Sequence, residues 1–350
     1  MDRDYSEIGN HRWEGVGCLM KKVLVFGATG HLGAYTVDYL KESFNQNKFE
    51  LIAIGRKQTD FFEKQGIKYC QVDVTDKDAF KRLPQEDVFA VVCFVGMMPA
   101  AMQGYNPHIY VDVNVTGVLN ILEYCRINQV DRILFTQTEA DLSGYWEKNA
   151  VIKPDLPRKF SYKGSYSLYI ITKNAAVDLI ESYYQNHGLK RFIFRLPTVY
   201  HYRPDPYYYK DGVKKKLGYR QLMEYAMEGK QIEMWGDPSL AKDIVYVKDF
   251  TQMVYKAILT DVEGGIYNVG TGKTVTLEDQ IKGIIEVFSP KGRRSEIIPR
   301  PDKPNSRSFV MDIENAKEDL GYRPQYSYID YLKDFKKEMK LNRFADLWDK

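Results

Sequence analysis

Short apolar runs alternate with longer segments of mixed polarity through the first half of the chain. Val23–Phe26, Leu51–Ile54, Tyr69–Val72, Ala90–Val95, Ile133–Phe135 and Phe192–Phe194 read as strands, and Tyr35–Phe44, Val115–Arg126 and Tyr169–Tyr184 as helices between them. A strand with one solvated face alternates polar and apolar residues, whereas a strand covered on both faces is apolar throughout. The runs are of the second kind. Their βαβ rhythm predicts an α/β fold, a parallel sheet between two helical layers.

The rhythm has edges. Residues 1–19 carry no periodicity and read as a flexible N-terminal extension, so the folded unit is expected to begin at Met20. After Pro197 the pattern breaks into a Pro/Tyr-rich stretch, Tyr200–Tyr209, followed by Lys214–Lys216. The expected division is a dinucleotide-binding unit over 20–199, with later segments from about 241–270, and a smaller mixed α/β lobe over 200–240 and 271–340. That lobe is expected to hold helices at Gln221–Glu228 and Leu277–Phe288.

Composition narrows the function. The 350 residues include 50 Lys+Arg against 47 Asp+Glu, a formal balance of +3 with the positive charge spread along the chain, which argues against a nucleic-acid binder. Hydrophobic residues at 44% and charged residues at 28% suit a globular protein. No apolar run approaches the roughly 20 residues of a membrane span, and Met1–Cys18 lacks an apolar signal core, so a cytoplasmic protein is expected. Cys18, Cys70, Cys93 and Cys125 form no CxxC pair, and Cys70 and Cys93 sit in apolar runs, as core residues do. The five histidines are scattered, and no metal site is expected.

The first apolar run leads straight into Gly27-Ala28-Thr29-Gly30-His31-Leu32-Gly33 and then into a helical segment. Glycines let the backbone approach a pyrophosphate, and the first N–H groups of the helix bind its charge. Dinucleotide binding by Gly27, Thr29, Gly30, His31, Leu32 and Gly33 is the reading this context favours. The second run ends in Gly55-Arg56-Lys57, where an NAD site usually carries an acidic residue. Two cations would attract a 2′-phosphate, which favours NADP while leaving NAD open; a plain surface turn is the alternative. Asp73 and Val74, closing the third run, are candidates for the adenine edge, and Val95 closes the fourth run beside them.

Of the 27 tyrosines, only Tyr169 has a lysine four residues on, Lys173. On a helix that spacing puts both on one face. An ammonium favours the phenolate and lowers a phenol's pKa, so Tyr169 is expected to act as acid/base while Lys173 tunes it and reaches the nicotinamide ribose. Thr138, at the end of the run Ile133–Phe135 and its polar continuation, is placed to hold the same substrate oxygen.

These residues together resemble the extended short-chain dehydrogenase/reductase family, in its nucleotide-sugar epimerase and dehydratase branch, from about Met20 to Pro324. Gly27–Gly33 matches its glycine loop, Tyr169 and Lys173 its catalytic pair, and Thr138 its Ser/Thr. Asn114–Gly117, Arg195–Tyr200 and Gly265–Gly270 look like further family segments. The resemblance implies an α/β fold with a Rossmann-type doubly wound parallel sheet of about seven strands that binds the cofactor, a smaller mixed α/β C-terminal lobe that binds the activated sugar, and a homodimer formed through the helices at Val115–Arg126 and Tyr169–Tyr184. It also makes Met97, Thr198, Lys242 and Arg300 candidate substrate contacts.

Departures from the pattern bear on the choice of reaction and substrate. Thr138 is followed by Glu139-Ala140-Asp141, which puts the carboxylate out of the dehydratase register, although either acid remains a candidate in a shifted loop. Lys242 stands for a frequent Arg, Thr198 for Asn and His201 for Gly; Arg300-Pro301 stands where paired arginines are common. Val95–Pro99 is bulkier than usual. Tyr207–Tyr209 are candidates for stacking on a base or sugar, or for packing on their own lobe, and Lys214–Lys216 for meeting phosphates or forming a solvated edge. The expected function is an NAD(P)-dependent 4-epimerase or keto-sugar reductase acting on a nucleotide-sugar. The alternatives are a reductase of a smaller carbonyl compound, a 4,6-dehydratase, and a non-catalytic NADP-sensing protein.

Overall fold

The computed structural model describes residues 20–147 and 150–348; the extension expected over 1–19 lies outside the described residues. Seven strands, β1 (Lys21–Phe26), β2 (Phe49–Gly55), β3 (Lys68–Gln71), β4 (Val88–Cys93), β5 (Arg132–Thr138), β6 (Lys190–Leu196) and β7 (Gly264–Asn268), form one sheet in the order β7-β6-β5-β4-β1-β2-β3. Every pairing in it is parallel. The apolar runs fall on these strands because both faces are covered. In β1, Val23 and Val25 join one core layer while Leu24 and Phe26 join the other. The strand ends move by a residue or two from the expected ones, since an apolar run reports burial rather than hydrogen bonding.

Helix α1 (His31–Ser43) packs with α4 (Val247–Leu259) on one face, and α2 (Gly117–Ile127) with α3 (Ser167–His187) on the other. The strand order reverses at β1, which lies between β2 and β4. A crevice therefore opens there at the carboxyl ends of the strands, where helices on opposite faces diverge.

The smaller lobe contains Gly218–Glu228 and Leu277–Phe288, a parallel pair Ile232–Trp235 with Ile297–Arg300, and a hairpin of Tyr207–Lys210 with Val213–Lys216. Two of its features depart from the expected boundaries. Ala150–Ile152, drawn from the stretch between β5 and α3, pairs with Phe309–Met311 in the lobe's four-stranded sheet. Helix α5 (Tyr328–Leu341) packs on the lobe, and residues 343–348 beyond it return to α1. Among the described residues no helix is long and apolar enough to cross a membrane, and no acidic, His and Cys cluster forms a metal site.

Candidate functional site

The crevice begins at the turn from β1 into α1. Gly27 has φ +79°, a conformation that side chains rarely adopt, and the chain beyond β4 passes so close that a Cβ there would lie 3.1 Å from the Phe94 carbonyl carbon. A Cβ on Gly33 would lie 2.2 Å from the Gly27 oxygen. Only glycines let the turn fold this tightly. Helix α1 opens at Gly30 with no side-chain cap and no acidic residue in its first turn. Its first intrahelical bond, Ala34 N–H to Gly30 O at 2.9 Å, leaves the N–H groups of His31, Leu32 and Gly33 to an external partner. This narrow glycine turn with positive helix-end character fits a pyrophosphate. The His31 ring lies tilted against His201 at 5.1 Å, and burial first, then His201, pushes its pKa well below the usual range, so the pair stands at the turn as neutral imidazoles.

On the adenine side, Val74 meets α2 at Gly117, where a Cβ would lie 2.6 Å from its methyl, and its carbonyl accepts from Asn120 Nδ2 at 2.8 Å. Asp73 accepts from Thr75 N and Oγ1 at 3.0 and 2.8 Å. Burial works against its charge, but those bonds and Arg56 hold the carboxyl below its ordinary pKa. Arg56 thus acts on the charge of Asp73. Lys57 does not: its Nζ donates to the Leu347 carbonyl at 2.6 Å. The two cations that stand together in the sequence diverge, as successive residues beyond a strand end do. Val95, half-buried, passes beside Gly27.

Where α3 packs on β5, each of the expected trio is buried: Thr138 and Tyr169 are each 8% exposed and Lys173 is 3% exposed. The Thr138 hydroxyl is near enough to the Tyr169 phenol to act on its pKa and lies 3.3 Å from Glu139 Oε2. Its backbone is held by Gln137 Oε1 at 2.8 Å, and Gln137 Nε2 donates to Asn174 Oδ1 on α3 at 2.7 Å. Burial, then the charge of Glu139, drives the Tyr169 pKa up, and the opposing pull comes from Thr138 rather than from the ammonium. Lys173 lies with Nζ 3.8 Å above the Phe135 ring, and burial lowers its pKa to about 8. Met97 packs in the same small cluster as Tyr169, with Tyr110 and Ala140.

Two more residues stand out here, one to which the sequence assigned no work and one acid that it left as a candidate. Asn114 sits in a π-helical turn, Asp112–Thr116, between Pro107–Val111 and α2. Its Oδ1 accepts from Met97 N at 2.6 Å, while Nδ2 donates to Met97 O and to Thr172 Oγ1 at 3.0 and 3.1 Å, fixing the loop after β4 to α3. The segment Asn114–Gly117 was the available signal. Glu139 is the second: burial raises its carboxyl to a pKa of about 7, and Arg307, 3.6 Å away, only partly offsets this. Asp141 is not free to act, because it forms a buried two-bond ion pair with Arg195 at 3.1 and 3.2 Å.

The remaining substrate candidates are less gathered. Thr198 is exposed in the turn after β6, and Lys242 lies 5.7 Å over the Tyr200 ring. Arg300 is engaged by Glu233 and by Asp302. Tyr207 is covered by Lys214 and Lys216 at 4.8 and 5.4 Å, so the aromatic and basic runs partner one another across the hairpin.

The model of the NAD dependent epimerase/dehydratase family matches residues 23–270. A putative UDP-glucose 4-epimerase of Methanocaldococcus jannaschii is 26% identical over 332 residues, covering 91% of this chain and 99% of that relative. A UDP-glucuronate 4-epimerase of Thermodesulfobacterium geofontis is 26% identical over 274 residues, 77% of this chain and 79% of its own. Among solved structures, the UDP-glucuronic acid 4-epimerase of Bacillus cereus in complex with NAD superposes with TM-score 0.66 at 21% identity, covering 91% of this chain and 97% of that one. The UDP-N-acetylglucosamine 4-epimerase of the same organism gives 0.71 at 20% identity, covering 91% and 99%. These two likenesses speak to the fold.

Proposed function

The chain belongs to the NAD dependent epimerase/dehydratase family, and from that premise we propose that it is a 4-epimerase of a UDP-sugar with NAD as its working cofactor. The observation that carries the reading is the burial of Thr138, Tyr169 and Lys173 where α3 packs on β5, with Thr138 acting on the phenol and Lys173 Nζ 3.8 Å above the Phe135 ring. When bound, the nicotinamide supplies reversible hydride acceptance at the sugar's C4. The protein's own groups then manage the oxygen on that carbon. Tyr169 takes the proton from the 4-hydroxyl and later returns it, Thr138 holds the oxygen, and the buried site excludes bulk water. Lys173, its pKa lowered by burial to about 8, holds its charge more firmly when an oxygen partner such as a ribose hydroxyl offsets the desolvation.

Two adjacent cations favour NADP in the sequence. With Lys57 turned to Leu347, Arg56 alone remains for a 2′-phosphate, and the comparisons name NAD. We place the activated sugar between Met97 and the lobe that carries Thr198, Lys242 and Arg300. We also propose a homodimer through α2 and α3, which expose Leu119, Ile127 and Ile171. The free Cys70, Cys93 and Cys125 suit a reducing compartment such as the cytoplasm.

The test is incubation of the purified protein with NAD and, in turn, UDP-glucose, UDP-glucuronic acid and UDP-N-acetylglucosamine, with products resolved by NMR. One of them interconverts with its 4-epimer without net NADH formation. Stoichiometric reduction of NAD without a 4-epimer would make the protein a dehydrogenase instead.

A further inference from the structure

Beyond α5 the chain does not stay with the lobe. Asn342 turns with φ +40°, and residues 343–348 run back along α1 to the cofactor crevice. Arg343 pairs with Asp38 on α1 and with Glu338. The Phe344 ring meets Tyr35 edge-on at 4.9 Å, and Leu347 is 1% exposed. Two contacts then land on the crevice itself. The Leu347 carbonyl accepts from Lys57, just beyond β2, at 2.6 Å, and Trp348 Nε1 donates to the Thr29 carbonyl inside the glycine turn at 3.1 Å. The indole also stands edge-on to His31 at 4.8 Å.

We propose that residues 343–348 form a latch on the cofactor turn, with Trp348 and Lys57 as positioning residues that keep Thr29–His31 in the conformation that receives the pyrophosphate. The inference rests on the reading that NAD lies over this turn. A glycine-rich turn loses much conformational freedom when a ligand orders it, and a segment that orders it beforehand removes that cost from binding. The latch packs on the α1 face of the sheet, whereas Val74 belongs to the core layer on the other face. It hangs from α5, whose Phe335 packs on Tyr202, next to the His201 whose ring meets His31. The lobe and the turn are therefore joined twice, through His201 and through the latch. An epimerase regenerates its cofactor in each cycle and gains from holding it.

The test measures NAD dissociation from the full-length protein by dilution into a NAD-scavenging assay, alongside Trp348→Phe, Lys57→Met and a variant ending at Asn342. Trp348→Phe keeps a ring against His31 and loses one hydrogen bond, so release quickens about five- to tenfold. Lys57→Met acts in the same direction, and the shortened variant releases fastest. The effect falls on the KM for NAD rather than on kcat. A merely structural segment would instead lower the unfolding temperature of the cofactor-free protein and leave release unchanged. Should the shortened variant fail to fold, Trp348→Phe decides. Release rates within twofold of the parent for Trp348→Phe and Lys57→Met overturn the proposal. Failure of the parent protein to bind NAD at all overturns the reading beneath it as well.

Discussion

The two ends of the cofactor crevice are built in different ways. At the nicotinamide end, the chemical groups sit on regular elements, Thr138 at the end of β5 and Tyr169 and Lys173 inside α3, and each is locked by neighbours on the sheet. At the glycine turn, backbone N–H groups rather than side chains are the groups offered to a pyrophosphate, and support arrives from residues 343–348, some three hundred positions away in sequence. A rigid end suits proton transfer, which demands fixed geometry. A clasped end suits a cofactor that must enter once and then remain.

The sharpest way to break this comparison is at the rigid end. Tyr169→Phe keeps the ring in its buried cluster and removes the phenol on which Thr138 acts, so kcat falls by about 10²–10⁴. NAD binding, measured by titration, stays within twofold of the parent. A variant with kcat within tenfold of the parent would move the acid/base role away from Tyr169. The next largest effect lies at the other end. Gly33→Ala puts a methyl 2.2 Å from the Gly27 oxygen, and the turn must open to admit it. Overpacking of this kind costs about 1–3 kcal/mol, read by urea denaturation, together with loss of measurable NAD binding. If the variant binds NAD normally, the turn is more pliable than its spacing implies.

The same division explains what the sequence disclosed. The sheet was legible because strands covered on both faces must be apolar from end to end, and Val23–Phe26 or Ile133–Phe135 have no other reading. The glycine turn and the Tyr169–Lys173 pair were legible because the spacing of neighbouring residues fixes a turn or a helix face. What stayed hidden depended on contacts between distant segments. Nothing local to Trp348 points to Thr29, and nothing in Arg56-Lys57 says that the second cation turns to Leu347. Asn114 stands in a family-like segment, yet its work depends on Met97 and Thr172, which only the folded chain brings to it. Asp141 and Arg195 likewise read as unrelated residues until burial joins them.

Glu139 offers a measurement at the rigid end that needs no substrate. Its carboxyl has a pKa of about 7 in the folded protein, raised by burial, against an unfolded value of about 4.3. Between those two values the folded state binds a proton that the unfolded state has released, so stability falls as pH rises from about 4.3 to about 7. Partial solvation of the side chain reduces the full linkage to about 1–2 kcal/mol. Denaturation curves at pH 5 and pH 8 should show that loss in the parent and a smaller one in Glu139→Gln. Equal losses in both would mean that the carboxyl is solvated and already ionised in the folded state.

The smallest effect tests whether the clasped end selects its cofactor. Arg56 is exposed and close enough to Asp73 for its charge to be felt there, while Lys57 is withheld by Leu347, so Arg56 is the cation left to meet a 2′-phosphate on the ribose. An exposed cation attracts an anion weakly because water and salt screen it. Arg56→Ala should therefore weaken NADP binding about three- to fivefold at low salt and leave NAD within twofold. Raising the salt to about 0.5 M should shrink even that difference, since the Debye length then falls to a few ångströms. A loss above twentyfold would show a buried, two-pronged phosphate contact that an exposed side chain does not make. Equal losses for both cofactors would mean that Arg56 acts on what they share, the adenosine or the pyrophosphate. The pair Arg56→Ala with Lys57→Met then separates the two kinds of support. The first change alters which dinucleotide is preferred, and the second alters how long either one stays.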